Sequence, residues 1–263
     1  FFDQNIGLGE ARHHDELHQW RKVDTVWAPM TRIDELKPKA RTAGLSNFVL
    51  PHSHRAPGGL STLDYATWCA QMGRVMWSAE VFNCNAHDTG NMETIEHYGS
   101  VAQQNQWLEP LQRAEIRSAF LMTEPAVASS DATNSQCRIE RRGDHAVING
   151  RKWWSSGAGV SHCAAERALE RMMCKRLQGR IGFGKPLSQQ SVWAERIAER
   201  RCRIDQASLL TLNAAHRMDT VRNKLAKAEI AMIKLVSPNK RCKVLDWAIQ
   251  AFGAAGVSQD TWL

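Results

Sequence analysis

No stretch of this chain is apolar for long enough to cross a bilayer, and the mean hydropathy is −0.43, so the sequence reads as soluble and without membrane insertion. Its seven cysteines (Cys69, Cys84, Cys137, Cys163, Cys174, Cys202, Cys242) are odd in number, scattered and never spaced Cys-x-x-Cys. That indicates neither a disulfide framework nor a zinc site and predicts a reducing, intracellular compartment. The first residues, Phe-Phe-Asp-Gln-Asn, offer no initiator Met, no basic region and no apolar core, so no signal peptide is read and the chain is expected to begin inside a longer one. Internal repeats and low-complexity tracts are missing too.

What is present is ordinary globular material: 263 residues, 43% hydrophobic and 23% charged, enough for one large domain or two smaller ones. Charge is unevenly divided. Residues 1–159 hold 16 Lys/Arg against 18 Asp/Glu, whereas residues 160–263 hold 18 against 9, so the net +7 lies in the C-terminal part. A basic half can meet nucleic acid, an acidic partner or a phosphorylated cofactor. The simpler reading is a solvated helix face, since Arg196, Arg200 and Arg203 stand at helical spacing beside Glu195 and Glu199.

Residues 1–118 read as helices joined by short loops. Ser61 and Asp64 form a capping-box-like start to a helix over 65–73, a short helix over 91–97 closes at Gly99, and another over 101–108 stops at Pro110; 46–59 is a loop. Beyond Arg117 the pattern changes. Residues 138–142, a Gly143-Asp144 turn, 145–148, an Asn149-Gly150 turn and 152–155 read as three short strands in a meander. Helical spacing then returns: Trp193, Ile197, Ile204, Ala207, Thr211, Ala214 and Met218; next Leu225, Ala228, Met232 and Leu235; and, after a start at Ser237-Pro238, Cys242, Leu245, Ile249 and Phe252. With 166–178 these make four helices, the count of an antiparallel bundle. The fold class expected is mainly α with a small central β-domain (α+β): an N-terminal helical domain (1–118), a partial β-barrel or sheet (119–159) and a C-terminal four-helix bundle, truncated (160–263).

Two stretches carry the chemistry. Phe-Leu-Met-Thr-Glu-Pro-Ala-Val-Ala-Ser-Ser-Asp at 120–131 supplies small residues and backbone donors beside a threonine hydroxyl, which suits an electron-rich ligand edge. Lys-Trp-Trp-Ser-Ser-Gly at 152–157 supplies an aromatic face followed by hydroxyls. Together they look like one wall of a flavin pocket. Taken singly, Trp153 and Trp154 are strand residues alternating across a half-buried sheet, Ser129 and Ser130 are loop residues and Arg180 is a surface charge.

The order of these segments resembles the acyl-CoA dehydrogenase family over nearly the whole chain. Besides the two stretches, the resemblance rests on His97-Tyr98-Gly99, on Trp107-Leu108-Glu109-Pro110-Leu111 followed by Glu115-Ile116, on Arg180-x-x-Phe183-Gly184-Lys185-Pro186, and on Gln250-Ala251-Phe252-Gly253-Ala254-Ala255-Gly256. The runs Ala-Ser-Ser-Asp-Ala-Thr-Asn and Asp-Trp-Ala-Ile-Gln are similar to the subgroup that includes kinase-fused members. The resemblance implies FAD-dependent α,β-dehydrogenation of an acyl-CoA thioester: a carboxylate takes the α-proton, the β-hydride passes to flavin N5, and electrons leave through an electron-transferring flavoprotein. It also implies a homodimer or homotetramer, placed in the cytoplasm of a bacterium or in the mitochondrial matrix or peroxisome of a eukaryote.

Carried over residue by residue, the resemblance puts Phe120, Met122 and Thr123 at the edge of the isoalloxazine ring, Ser129 on the FAD pyrophosphate or the CoA substrate, Trp154 against the ring and Ser156 beside it. Arg180 and Phe183 would clamp pyrophosphate and adenine from a neighbouring subunit, while Gln250 and Gly253 approach the adenosine half. Ala254 and Ala114 stand where the family has glycine. The chain runs almost directly from Gly159 into the bundle, omitting the second half of the β-domain, and stops at Leu263 before the segment that holds the subgroup's catalytic glutamate. No catalytic residue is therefore assigned; Glu166, Glu170, Glu195, Glu199 and Glu229 sit in surface-like helix patterns. Alternatives are a catalytically inactive subunit or scaffold of the same family and, ranked last, a nucleic-acid-binding homologue using the basic bundle. His14-Asp15-Glu16-Leu17-His18 resembles a zinc-protease helix, but a charged helix start is the simpler reading and no metal is assigned.

Overall fold

Apolar residues at helical spacing dominate the chain, and in the computed structural model helices carry most of it. Described are residues 1–9, 12, 13, 15, 16, 19, 30–50, 53, 55–75, 77–155 and 166–258. The main helices are α1 (Thr31–Thr42), α2 (Thr62–Met72), α3 (Asp88–Tyr98), α4 (Glu109–Gln112), α5 (Glu166–Gly179), α6 (Ser191–Leu225) and α7 (Lys227–Phe252). The strands are β1 (Arg138–Arg142), β2 (His145–Asn149), β3 (Ile181–Gly182) and β4 (Lys185–Pro186). The expected class, mainly α with few short strands, holds.

One unit comprises Phe1, 3–50 and 80–162. In α1, Ile33, Leu36 and Ala40 fall on one face and are buried, and Lys39 and Arg41 lie in the last turn, where cations complement the helix dipole. Asn83 knits the interior with its amide, donating to Asn47 Oδ1 at 2.7 Å and Leu111 O at 2.8 Å. A capping box starts the next helical stretch: Gln103 N donates to Ser100 Oγ, and Ser100 N donates to Gln103 Oε1. That stretch does not stop at Pro110. A π-turn over Gln104–Leu108 shifts the hydrogen-bond ladder, so Pro110 falls in the first turn of α4, where its missing N–H costs nothing, and the helix continues to Gln112.

Among the described residues, the β-region holds one hairpin and not a three-stranded meander. β1 and β2 pair antiparallel, Arg138 opposite Asn149 and Ile139 opposite Ile148. Their two-residue loop begins with Gly143 at φ 65°, the left-handed geometry that matches strand twist in tight hairpins. The expected third strand over 152–155 does not form, because Trp154 adopts φ 53° and leaves extended geometry. Gly150 is not a hairpin turn either. A Cβ there would lie 2.6 Å from Cys137 Sγ, so glycine permits close backbone approach.

The other unit comprises Phe2, 51–79 and 163–263. Its core joins Met173 and Leu177 of α5, Trp193 of α6 and Trp247, Ala248 and Ala251 of α7. Four helices pack here: α7 against α5 and α6, and α2 against α6. Residues 191–252 form two long helices where three were expected. Pro238 lies within α7, not at a helix start, and Asn239 Nδ2 donates to Leu235 O at 2.8 Å in the turn that the proline weakens. The chain instead breaks near Arg222, at φ 67°. Leu225, Met232 and Leu235, which stand at helical spacing in the sequence, are exposed, whereas Val244 and Trp247 are buried.

The basic face is only partly solvated. Arg200 is 2% exposed, and the guanidinium carbons of Arg196 and Arg203 lie 5.0 and 5.8 Å from the ring centroids of Trp193 and Trp247. Asp219 of α6 closes the start of α2: Thr62 N and Leu63 N donate to its carboxylate at 2.9 and 2.8 Å, and Ser61 Oγ accepts from Asp64 N at 3.1 Å. The first N–H groups of α2, orphaned by helix geometry, are thereby satisfied.

Candidate flavin-binding residues

The two chemistry-bearing stretches meet in the first unit. Trp153 N donates to Thr123 O at 3.0 Å, and Lys152 Nζ donates to Met122 O at 3.0 Å, so consecutive residues of one stretch hold consecutive carbonyls of the other. Phe120, Leu121 and Met122 are exposed on this surface, Trp153 is 46% exposed and Trp154 80%. The two indoles meet edge-on, with centroids 6.1 Å apart. An exposed aromatic cluster of this size marks a binding or packing surface.

Beneath it lies Glu124, 5% exposed. Its carboxylate accepts from Lys152 Nζ at 2.7 Å, Ser135 Oγ at 2.7 Å, Gln136 N at 2.8 Å and Cys137 N at 3.0 Å. The Lys152 ammonium and then these other donors outweigh burial and pull its pKa down to about 2. Such a carboxylate is a structural anion: it is too weak a base to take a proton from carbon. Sequence reasoning gave neither Glu124 nor Lys152 a role. The two lie 28 residues apart, and neither segment alone signals that they pair.

Ser129 closes the loop between them. Its hydroxyl accepts from Glu124 N at 2.7 Å and lies 3.2 Å from Glu124 O. Thr123 is half-buried, and Ser156 lies outside the described residues. So do His14, Leu17 and His18 of the zinc-like motif.

The remaining predicted residues sit in the other unit. Arg180 Nη1 donates to Phe252 O at 3.1 Å, placing a guanidinium on the last carbonyls of α7, where the helix dipole favours it. Gly253 follows at φ 64°, and a Cβ there would lie 3.3 Å from Arg180 Nη1. Gln250 is exposed in the same final turn, and its carbonyl accepts from Gly253 N. Phe183 and Gly184, at φ 56° and 79°, form the turn between β3 and β4, which leaves the Phe183 ring 100% exposed. Arg180, Gln250 and Gly253 are thus gathered at one helix end, with Phe183 on the adjoining turn.

Comparison with known proteins gives these features a context. The N-terminal, middle and C-terminal domain models of acyl-CoA dehydrogenase match residues 13–115, 119–181 and 156–263. Acyl-CoA dehydrogenase family member 11 of Homo sapiens is 38% identical over 328 aligned positions that cover 89% of this chain and 41% of that protein, so the chain spans less than half of that relative's length. A solved structure described as an acyl-CoA dehydrogenase from Mycobacterium abscessus is 33% identical, covers 99% of this chain and 87% of its own, and superposes with a TM-score of 0.89. A glutaryl-CoA dehydrogenase from Mycobacterium smegmatis, solved in complex with FADH2, shares the fold at 16% identity and a TM-score of 0.68, covering 86% of this chain and 78% of its own. Matched along its N-terminal, middle and C-terminal segments and by a full-length structural relative, the chain belongs to the acyl-CoA dehydrogenase family.

Proposed function

We propose that the chain binds FAD and serves the α,β-dehydrogenation of an acyl-CoA thioester, its segments 1–118, 119–159 and 160–263 acting as N-terminal, flavin-wall and bundle parts. The observation that carries this reading is the exposed apolar and aromatic surface of Phe120, Met122 and Trp154, whose two segments are joined by Trp153 N donating to Thr123 O and Lys152 Nζ donating to Met122 O. The residues present fit the group. A flat ring needs an apolar face with hydrogen-bond donors at its edge, which Trp154 and the Thr123 hydroxyl supply. A diphosphate needs a cation and close backbone approach, and Arg180 beside the glycine at Gly253 offers both.

When bound, FAD supplies an acceptor for the two electrons that leave the acyl chain. Around it, Thr123 orients the ring edge, Trp154 shields it from water, and Ser156 adds a hydroxyl. Arg180 and Phe183 would clamp the pyrophosphate and adenine of the FAD of a neighbouring subunit, and Gln250 and Gly253 would approach the adenosine half. Ser129 contributes a hydroxyl to the pyrophosphate or to the acyl-CoA. An electron-transferring flavoprotein would be the electron acceptor, and a homodimer or homotetramer the working unit. Purified protein with flavin absorbance that bleaches on anaerobic addition of an acyl-CoA supports the proposal; a colourless protein that rejects added FAD contradicts it.

A second reading, a flavin-binding relative without turnover, is favoured by two observations. The human relative aligns over 328 positions, whereas this chain has 263 residues, so some of that relative's residues face none here. The middle and C-terminal domain models also overlap over 156–181. Retained flavin that no acyl-CoA bleaches is the result that selects this reading.

A further inference from the structure

The exposed aromatic wall is built from two segments, and what holds them in register is a charged pair behind it. Lys152 has three N–H donors, and three acceptors stand within reach: Glu124 Oε1 at 2.7 Å, Met122 O at 3.0 Å and Ser135 Oγ at 3.4 Å. One residue further on, Trp153 N holds Thr123 O. The two carbonyls are consecutive, and so are the two donors, in the same order. A slip of one residue would break both bonds and move Lys152 off the carboxylate. Glu124 is fixed on its far side by Ser135, Gln136 N and Cys137 N, at the entry to β1, so the lysine ties the wall to the hairpin as well.

We propose that Lys152 and Glu124 are positioning residues for the flavin ring: their pair sets the register between Met122-Thr123 and Trp153-Trp154, and hence the spacing of the ring's aromatic and hydroxyl contacts. The inference rests on the FAD reading of this surface. Neither side chain faces the ring itself; each acts through the backbone that carries Thr123 and Trp154. The adjacent wall residues Phe120, Leu121, Met122, Trp153 and Trp154 are exposed, so the register between the two segments is set by the bonds behind them. Elsewhere in the same unit, the cations lining the cavity of about 450 Å³ beside α1 are already engaged: Lys37 and Arg117 with Asp34 and Glu80, Arg113 with Glu109 and Glu115, and Arg41 with Arg113 O.

The test is FAD titration of the full chain and of Lys152→Met, Lys152→Arg and the double variant Glu124→Gln/Lys152→Met. Binding is read by quenching of tryptophan fluorescence and by visible circular dichroism of the bound flavin, with thermal unfolding followed in parallel. Lys152→Met is expected to weaken FAD binding about tenfold and to alter the flavin dichroism. Lys152→Arg keeps the charge and restores part of both. The double variant, which leaves no uncompensated buried charge, is expected to regain the unfolding midpoint but not the affinity or the dichroism. Affinity that follows the midpoint back to the unaltered value, or dichroism unchanged in Lys152→Met, overturns the positioning role while the flavin reading stands. No binding by the unaltered protein overturns the flavin reading itself, and the positioning role with it.

Discussion

Lys152 Nζ lies 2.7 Å from Glu124 Oε1, and this contact fastens the Trp153-Trp154 segment to the Thr123-Glu124-Pro125 loop. The carboxylate is 5% exposed and the lysine side chain 19%, so the pair is shielded from water more than a surface ion pair is. Removing one partner leaves the other charge in a poorly solvated place, which is why the single variant should be less stable than the double neutral one.

The pair makes stability depend on acid. Glu124 has its pKa lowered from 4.5 to about 2, first by Lys152 and then by Ser135, Gln136 N and Cys137 N. A carboxyl group whose pKa is depressed by folding adds stability above its unfolded pKa and loses it as pH falls through the folded value. The stability advantage of the native protein over Glu124→Gln is therefore expected to be full at neutral pH and to shrink between pH 4.5 and about 2. Urea unfolding of both proteins across that range checks it; an advantage that is constant with pH would show the pair to be inert.

Asp219 caps a helix that is distant in sequence. Its two oxygens accept from Thr62 N and Leu63 N, so Asp219→Ala leaves the first donors of α2 to water and should cost about 1 kcal/mol. Asp219→Asn retains an acceptor and should cost less. Denaturant midpoints at neutral pH measure both.

Ala114 is expected to improve on replacement by glycine. It adopts φ 55°, which for a residue with a Cβ costs about 1–2 kcal/mol. Ala114→Gly removes that strain and adds roughly 0.5 kcal/mol of unfolded-state entropy, so a net gain of about 1 kcal/mol is expected. Calorimetry of the two proteins should show a higher unfolding midpoint for the glycine variant.

Gly253 should tolerate no side chain. At φ 64° and ψ −139°, with Arg180 Nη1 3.3 Å from a built Cβ, Gly253→Ala should cost about 1–3 kcal/mol and push the guanidinium away. A matching loss of FAD affinity, measured by equilibrium dialysis, is the expected result.

Local signals in the sequence were the legible ones. Ser61 and Asp64 announced the start of α2 because a cap is a short-range hydrogen bond, and Gly143-Asp144 announced the β1–β2 turn because its geometry needs glycine. Rules that depend on surroundings misled. Pro238 read as a helix start but lies inside α7, and Pro110 read as a stop but follows a π-turn. Trp153 and Trp154 read as strand residues because their side chains fit a sheet, and only the left-handed backbone at Trp154 excludes it. Within the candidate site, Thr123 and Trp154 were singled out only through the neighbouring motifs that carry the resemblance. Glu124 and Lys152 are 28 residues apart, and nothing in either segment alone says that they touch.

The most direct measurement is FAD titration into flavin-free protein, comparing the unaltered chain with Trp154→Ala. The account predicts saturable, equimolar binding that quenches tryptophan fluorescence, with weaker binding and less quenching in the variant. Fluorescence that does not respond to FAD in the unaltered protein, or binding that is indifferent to the loss of Trp154, would contradict the placement of the flavin on this wall.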